Sequence, residues 1–384
     1  MICSLYIHIP FCASFCDYCD FYSVGAEGGS AVDRRLDAYV DAVLADIKHQ
    51  FEFFDVKEIS TAYIGGGTPS VLGARRIRRL LGGLNSLPGF SPCEFTIEAN
   101  PESAAEDFLT ACRESGVNRI SLGVQSFHEP SRRLVNRAGG AGILEERLAL
   151  VSRIFPGAFS ADLITGLPLQ TEGVVLNDIE KLLAFNPAHV SLYSLTVEGE
   201  TPLGRKIKTR TLSLPDRDEA DVQWIAGRDA LENAGYEQYE VSNFAFPGKQ
   251  CRHNTAYWQM KSWLGAGPAA SGTVVDEKSA AAKRFTFPAD VDAYLKEPSL
   301  RSADCEELDR AALMRESLLM GFRYCNGPDP QLFRQRFGCT IEDCIPQTTA
   351  RWRERGFFNG NNPTQSLMLF LNSFLSEAFL ELKI

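Results

Sequence analysis

A chain of 384 residues, 45% hydrophobic and 23% charged, has the composition of an ordinary soluble globular protein, long enough for one large core and a smaller module. Its formal charge of -10 argues against capture of nucleic acid by bulk electrostatics and leaves only a local basic groove for such a partner. No stretch near Met1 has the basic, apolar, small-residue order of a secretory leader, so a cytoplasmic location is expected.

The first apolar run, Leu5–Ile9, leads directly into Cys12-Ala-Ser-Phe-Cys16-Asp-Tyr-Cys19. Three thiols on one short loop point to a metal or cluster site, and thiolates are soft ligands suited to iron–sulfur clusters. A cubane has four irons, so three sulfurs leave one iron without a protein ligand. The C-x3-C-x2-C spacing is the pattern expected when S-adenosylmethionine chelates that iron through its amino and carboxylate groups. A zinc site and a disulfide loop are the alternatives; zinc wants a fourth ligand, and neither Asp17 nor Asp20 is an obvious one. The remaining cysteines, Cys3, Cys93, Cys112, Cys251, Cys305, Cys325, Cys339 and Cys344, are scattered as buried free thiols would be.

Further short apolar or β-branched runs follow at Thr61–Ile64, Phe95–Ala99, Arg119–Val124, Ala161–Ile164 and His189–Leu195. Amphipathic stretches lie between them, such as Arg34–Phe54 with Leu36, Val40, Val43, Leu44 and Ile47 on one face. This alternation predicts an α/β fold with a parallel sheet, and six units predict an open or partial barrel rather than a closed eight-stranded one. Such folds gather their chemistry at the carboxyl ends of the strands. There the sequence puts the cysteine loop, Gly65-Gly-Gly-Thr-Pro69, Glu98 and Gln125. Gly65–Pro69 permits close backbone approach, with N–H groups for an amino-acid moiety. Asp162, inside the apolar fifth run, needs a partner, for which a ligand in the barrel lumen is one candidate.

Beyond the sixth run, Leu212–Gly235 is expected as a helix entered at Pro215-Asp216, and Tyr236–Phe244 as a strand. Cys251-Arg-His253-Asn-Thr-Ala-Tyr257-Trp258 offers an imidazole as an axial ligand for haem iron and two flat rings for a porphyrin face. The alternative is a core histidine beside core aromatics, which spacing alone favours. Glu277–Lys283 is expected as a surface loop or boundary, and from about Asp290 onward the pattern is helical. The expected division is therefore residues 1–275 and 285–384. The apolar run Leu367–Leu380 is too short and too polar to span a bilayer and is expected as a packed helix.

The cysteine triplet, Gly65-Gly-Gly-Thr-Pro, Glu98-Ala-Asn-Pro, Gly123-Val-Gln-Ser-Phe, Asp162-Leu-Ile-Thr-Gly-Leu-Pro and Tyr239-Glu-Val-Ser-Asn-Phe stand in one order over nearly the whole chain. Together they resemble the radical S-adenosylmethionine (SAM) superfamily, in the branch holding oxygen-independent coproporphyrinogen III oxidases and the related haem chaperones. The resemblance implies a [4Fe-4S] cluster on Cys12, Cys16 and Cys19. It implies SAM contacts from Tyr6, Tyr18, Gly66, Gly67, Thr68, Glu98, Gln125, Arg137 and Asp162, and a partial (β/α)6 barrel with a smaller, mainly helical C-terminal domain.

Three features favour the chaperone side of that branch. Phe21 stands where the oxidases usually carry a further cysteine, Cys12 leaves no room for their N-terminal arm, and His253–Trp258 matches the H-N-x-x-Y-W motif tied to haem binding. The resemblance thus implies haem at His253, Tyr257 and Trp258 and apo-haemoprotein acceptors, including respiratory proteins at the membrane. Radical decarboxylation of coproporphyrinogen propionates is the alternative activity. A homodimer joined through the open iron is also left open. One departure is Gly139, where members commonly have histidine two places beyond Arg137, which puts that loop's conformation in question.

Overall fold

The computed structural model describes residues 1–26, 28–360 and 362–382. Its frame is one twelve-stranded sheet. In chain order the strands are β1 (Ile2–Ile9), β2 (Glu58–Gly66), β3 (Glu94–Ala99), β4 (Arg119–Gln125), β5 (Phe159–Thr165), β6 (His189–Ser194), β7 (Glu237–Gln238), β8 (Asn243–Ala245), β9 (Trp263–Ala266), β10 (Ser271–Asp276), β11 (Ala281–Thr286) and β12 (Asp304–Leu308). The spatial order is β12-β11-β10-β9-β1-β2-β3-β4-β5-β6-β8-β7. Strands β1 to β6 run parallel as a partial (β/α)6 barrel, β9 adds in parallel beside β1, and the outer strands are antiparallel.

Alternation along the strands sorts the side chains between helices and lumen. In β3, Phe95, Ile97 and Ala99 are buried in the main core, while Glu94, Thr96 and Glu98 take the opposite face. Register carries the polar row across the sheet: Tyr6 lies opposite Tyr63, Tyr63 opposite Thr96, Glu98 opposite Ser121, and Asp162 opposite Ser191. Covering helices bury their apolar stripes against the other face. In α1 (Ser30–Phe53), Leu36, Val40, Val43 and Ile47 are buried, with Tyr39 and Phe51. Helix α1 begins ahead of the expected Arg34, without a side-chain cap at Gly29.

The C-terminal half departs from expectation in four places. Tyr236–Phe244 is two short strands, because the Glu240 carboxylate accepts from Ser242 N (3.0 Å) and Gln238 Nε2 donates to the carbonyls of Glu240 and Val241, folding the middle into a turn. Of Glu277–Lys283 only the start is a turn; Ala281 begins β11, paired with β10 from Ser271 to Asp276. Asp304-Cys-Glu-Glu-Leu308 is an edge strand rather than helix, since an edge needs only one buried side chain, here Leu308, and tolerates charge on the rest. The expected helix over Leu212–Gly235 starts later, at Arg217, where Asp216 and Glu219 form a reciprocal capping box.

A second core, from Met260 to Leu382, includes Leu313, Leu318, Phe322, Trp352 and Phe374. The C-terminal run is broken at Phe370 and resumes as Leu371–Glu381, burying Leu371, Phe374, Leu375 and Ala378 there. Among the described residues no helix is long and apolar enough to cross a membrane.

Candidate cluster and cofactor site

The cysteine loop leaves β1 and is tied back at both ends. Phe11–Cys12 pairs with Val24–Gly25, with Val24 N donating to Pro10 O (2.7 Å) and Ala26 N to Cys12 O (2.9 Å). Cys12, Cys16 and Cys19 are free thiols, with Cys16 and Cys12 both close enough to Cys19 to raise its pKa further after burial has done so. Among the described residues no three His, Cys, Asp or Glu side chains converge on a single metal ion; thiolates on different irons of a cubane need not do so.

Each glycine at the end of β2 and just beyond it is dictated by a neighbour. A Cβ on Gly65 would lie 2.9 Å from the Glu98 carboxylate, one on Gly66 (φ 111°) 2.7 Å from the His8 ring, and one on Gly67 2.8 Å from Phe11 O and 3.0 Å from Cys12 Sγ. That closeness lets Gly67 N donate to Ile9 O and Thr68 N to Phe11 O, each at 2.8 Å. The glycine turn is therefore part of the wall that shapes the cysteine loop, and the N–H groups of Gly66, Gly67 and Thr68, expected to be open to an amino-acid moiety, are engaged by Glu98, Ile9 O and Phe11 O.

Arg137 arrives from the far side of the barrel. Its Nη1 donates to Cys16 Sγ (3.4 Å) and its Nη2 to Asn100 Oδ1 (2.9 Å) and Gly123 O, while its Nε is buried without a partner. Burial alone would lower its pKa, but Tyr18, Cys16 and Glu102 together raise it. The loop bearing Arg137 is fixed by Arg132, 1% exposed, which donates to the carbonyls of Val124, Ser126, Ala138 and Gly139. The departure at Gly139 has a local cause: its φ is 77°, and a Cβ would come 2.3 Å from Glu102 Oε1.

Glu98 accepts from Tyr63 OH (2.7 Å) and Gly66 N (3.2 Å). Burial pushes its carboxyl up to about 7 against those donors, with Asp162 adding to the rise. Burial likewise pushes Asp162 up to about 6, opposed by the Ser191 and Ser121 hydroxyls, which are the partners its position demanded. Gln125, at φ 70°, pairs with Leu163 just past a register shift in the β4–β5 ladder, at which Val124 is the extra residue. Tyr6, Tyr63, Glu98, Asn100, Gln125, Arg137 and Asp162 all keep accessible surface around this lumen. Tyr18 packs against Cys16, and its hydroxyl is held protonated by burial.

These residues fit the implied groups: three free thiols on a braced loop, an orphaned guanidinium N–H, and two carboxylates facing an accessible lumen. Asn100 was not among the candidates, although it joins Thr68 Oγ1 (3.1 Å) to Arg137; its signal was the Glu98-Ala-Asn-Pro motif itself. Tyr63 was also missed, and the polar alternation Thr61, Tyr63 was its signal.

The His253 segment lies behind that site, not at its mouth. Helix α2 (Arg252–Trp258) has its N-terminus capped from β3: Glu94 accepts from Arg252 N (3.0 Å), His253 N (2.9 Å) and Cys251 Sγ (3.3 Å). His253 is 1% exposed, and both ring nitrogens are engaged, Nδ1 with Thr61 Oγ1 (2.8 Å) and Nε2 with Tyr257 OH (2.9 Å). Its ring stacks on Tyr63 at 5.2 Å, and burial lowers its pKa to about 3, leaving it neutral. Trp258, half-buried, carries an unpartnered Nε1 and lies under Arg323, 5.9 Å from the ring centre.

The radical SAM superfamily model matches residues 6–211. The haem chaperone HemW of Lactococcus lactis is 35% identical over 344 residues, 88% of this chain and 86% of that protein. The Escherichia coli haem chaperone HemW is 39% identical over 272 residues, 71% and 70% of the two chains. A mouse mitochondrial radical S-adenosyl methionine domain-containing protein 1 is 34% identical over 340 residues, 86% and 75% of the two. Among solved structures, coproporphyrinogen III oxidase from Escherichia coli superposes with a TM-score of 0.79 over 98% of this chain and 89% of that one, at 21% identity, a likeness of fold.

Proposed function

The chain belongs to the radical SAM superfamily and to the HemW family within it, and from that premise we propose that it binds haem and delivers it to apo-haemoproteins. The observation that carries this reading is the 35% and 39% identity to haem chaperones over most of both chains, against an oxidase likeness that is one of fold.

In this reading Cys12, Cys16 and Cys19 hold a [4Fe-4S] cluster, and Arg137, Asn100, Glu98, Gln125, Asp162, Tyr6, Tyr18 and the Gly66-Gly67-Thr68 turn receive SAM. When bound, that pair supplies one-electron reductive chemistry. The protein's own work is to brace the loop through Gly67 and Thr68, to hold a guanidinium against Cys16, and to offer Glu98 and Asp162 as acceptors for a cationic or hydroxylic ligand. Haem binds at the segment of His253, Tyr257 and Trp258. Because both His253 nitrogens are occupied, iron ligation there requires the Thr61 or Tyr257 contact to break. Acceptors are apo-haemoproteins, respiratory ones at the membrane included, with the chaperone itself cytoplasmic.

The test is anaerobic titration of cluster-loaded protein with haem, followed by transfer to an apo-haemoprotein. A shifted visible spectrum and loss of haem to the acceptor are expected. Conversion of coproporphyrinogen under the same conditions would instead make the chain an oxidase.

A further inference from the structure

The second core holds a group of sulfurs that the function above does not use. Cys339 Sγ and Cys344 Sγ lie 3.4 Å apart, and Met314 Sδ lies 3.9 Å from Cys344 Sγ. The three come from separate places. Met314 sits on α3 (Arg310–Gly321), buried at 6% exposure; Cys339 follows the end of α4 (Pro330–Phe337); Cys344 closes the one-turn helix Ile341–Cys344.

The loop joining the cysteines is built, not slack. Gly338 ends α4 in the left-handed region at φ 67°. Thr340 and Asp343 form a reciprocal capping box, with Asp343 N donating to Thr340 Oγ1 (3.1 Å) and Thr340 N to Asp343 Oδ2 (2.8 Å). Arg310 donates to Phe337 O and stacks on the Phe337 ring at 5.7 Å, holding a cation beside the loop. Both thiols are half-buried and so within reach of a small solute.

We propose that Met314, Cys339 and Cys344 form a three-sulfur binding site for a monovalent soft cation of the Cu(I) class. Two thiols and a thioether are the donor set that selects Cu(I) over harder ions. Among the described residues no imidazole, carboxylate or third thiol joins them into a metal-ion group, which removes the donors zinc would want. Binding replaces the two thiol protons, which leave to solvent, and no electron is transferred. The complex carries one net negative charge, with the Arg310 cation held nearby.

The test uses the full chain, cluster-loaded and kept anaerobic, competing for Cu(I) against a chromophoric chelator. Wild type is expected to withdraw one equivalent more than Cys344→Ser or Cys339→Ser, at unchanged iron content. Met314→Leu, a volume-conserving change, should keep that equivalent but hold it roughly tenfold more weakly. It also decides the matter if the cysteine variants fail to fold. Equal Cu(I) uptake by wild type and either cysteine variant overturns the site, as does identical affinity in Met314→Leu. Isolation of a Cys339–Cys344 disulfide with no Cu(I) uptake would also overturn it and make the pair a redox couple.

Discussion

The mouth of the barrel and the helix of His253 are both polar, yet they are finished differently. At the mouth, Arg137 leaves a buried N–H without a partner, and Glu98 and Asp162 are pushed toward neutrality by burial beside an accessible lumen. Behind it, His253 spends both nitrogens on Thr61 and Tyr257, stacks on Tyr63 and is shut from solvent. The first region is arranged for a group it does not itself supply; in the second the His253 ring is satisfied internally, although Trp258 Nε1 on the same helix is left without a partner. A buried polar group with all partners made stabilises the fold, whereas one left unmade costs free energy that a ligand recovers.

The sharpest way to break the contrast is at the mouth. Cys16→Ala should abolish the cluster, taking iron from about four per chain to near zero by metal and sulfide analysis. Full iron content in that variant would move the cluster elsewhere. Gly67→Ala should come next. Its Cβ meets a backbone oxygen at 2.8 Å, so the loop must shift, at about 2–3 kcal/mol in unfolding experiments and with partial loss of iron.

At the satisfied region, His253→Ala removes two hydrogen bonds from a buried ring and should cost about 2–3 kcal/mol of stability. If the imidazole ligates haem, that variant weakens haem uptake, while Thr61→Val, which frees Nδ1, strengthens it. Haem affinity unchanged in both would take His253 out of the haem site.

Glu98 adds a pH signature. Its folded carboxyl, at about 7, lies above the ordinary 4.5, so its contribution to stability is present below pH 4.5 and is lost as pH rises through 7. Glu98→Gln should therefore be more stable than wild type by about 1–2 kcal/mol at pH 8 and near wild type at pH 4, in urea unfolding of the cluster-free protein. His253, lowered to about 3, has the opposite sign: its contribution is present above the ordinary 6.5 and is lost as pH falls toward 3. The smallest effect is expected from Glu94→Gln, which keeps the shape of the α2 cap but removes its charge, at about 1 kcal/mol in thermal unfolding.

The six parallel strands were legible because alternation and spacing are local. Phe95, Ile97 and Ala99 on one face and Glu94, Thr96 and Glu98 on the other can be read without knowing any neighbour. Of the later strands, Tyr236–Phe244 was legible as β, though not its break into two, while Asp304–Leu308 and Ala281–Thr286 were not. Asp304–Leu308 has one buried side chain, and Ala281–Thr286 owes its state to partners on either side, so neither run carries its own signal.

Among site residues, the cysteine triplet, the glycine turn and Glu98 stood out by type and spacing, as did His253 by motif. Asn100, Arg132 and Glu94 did not, because what they do depends on carbonyls and helix ends distant in sequence. The chain by itself determined the six parallel strands and the chemistry gathered at one end of them, since period and ligand type are written residue by residue. Only the folded molecule decided that Arg137 faces Cys16 with a free N–H while His253 has none, because hydrogen-bond satisfaction belongs to pairs brought together across the sheet.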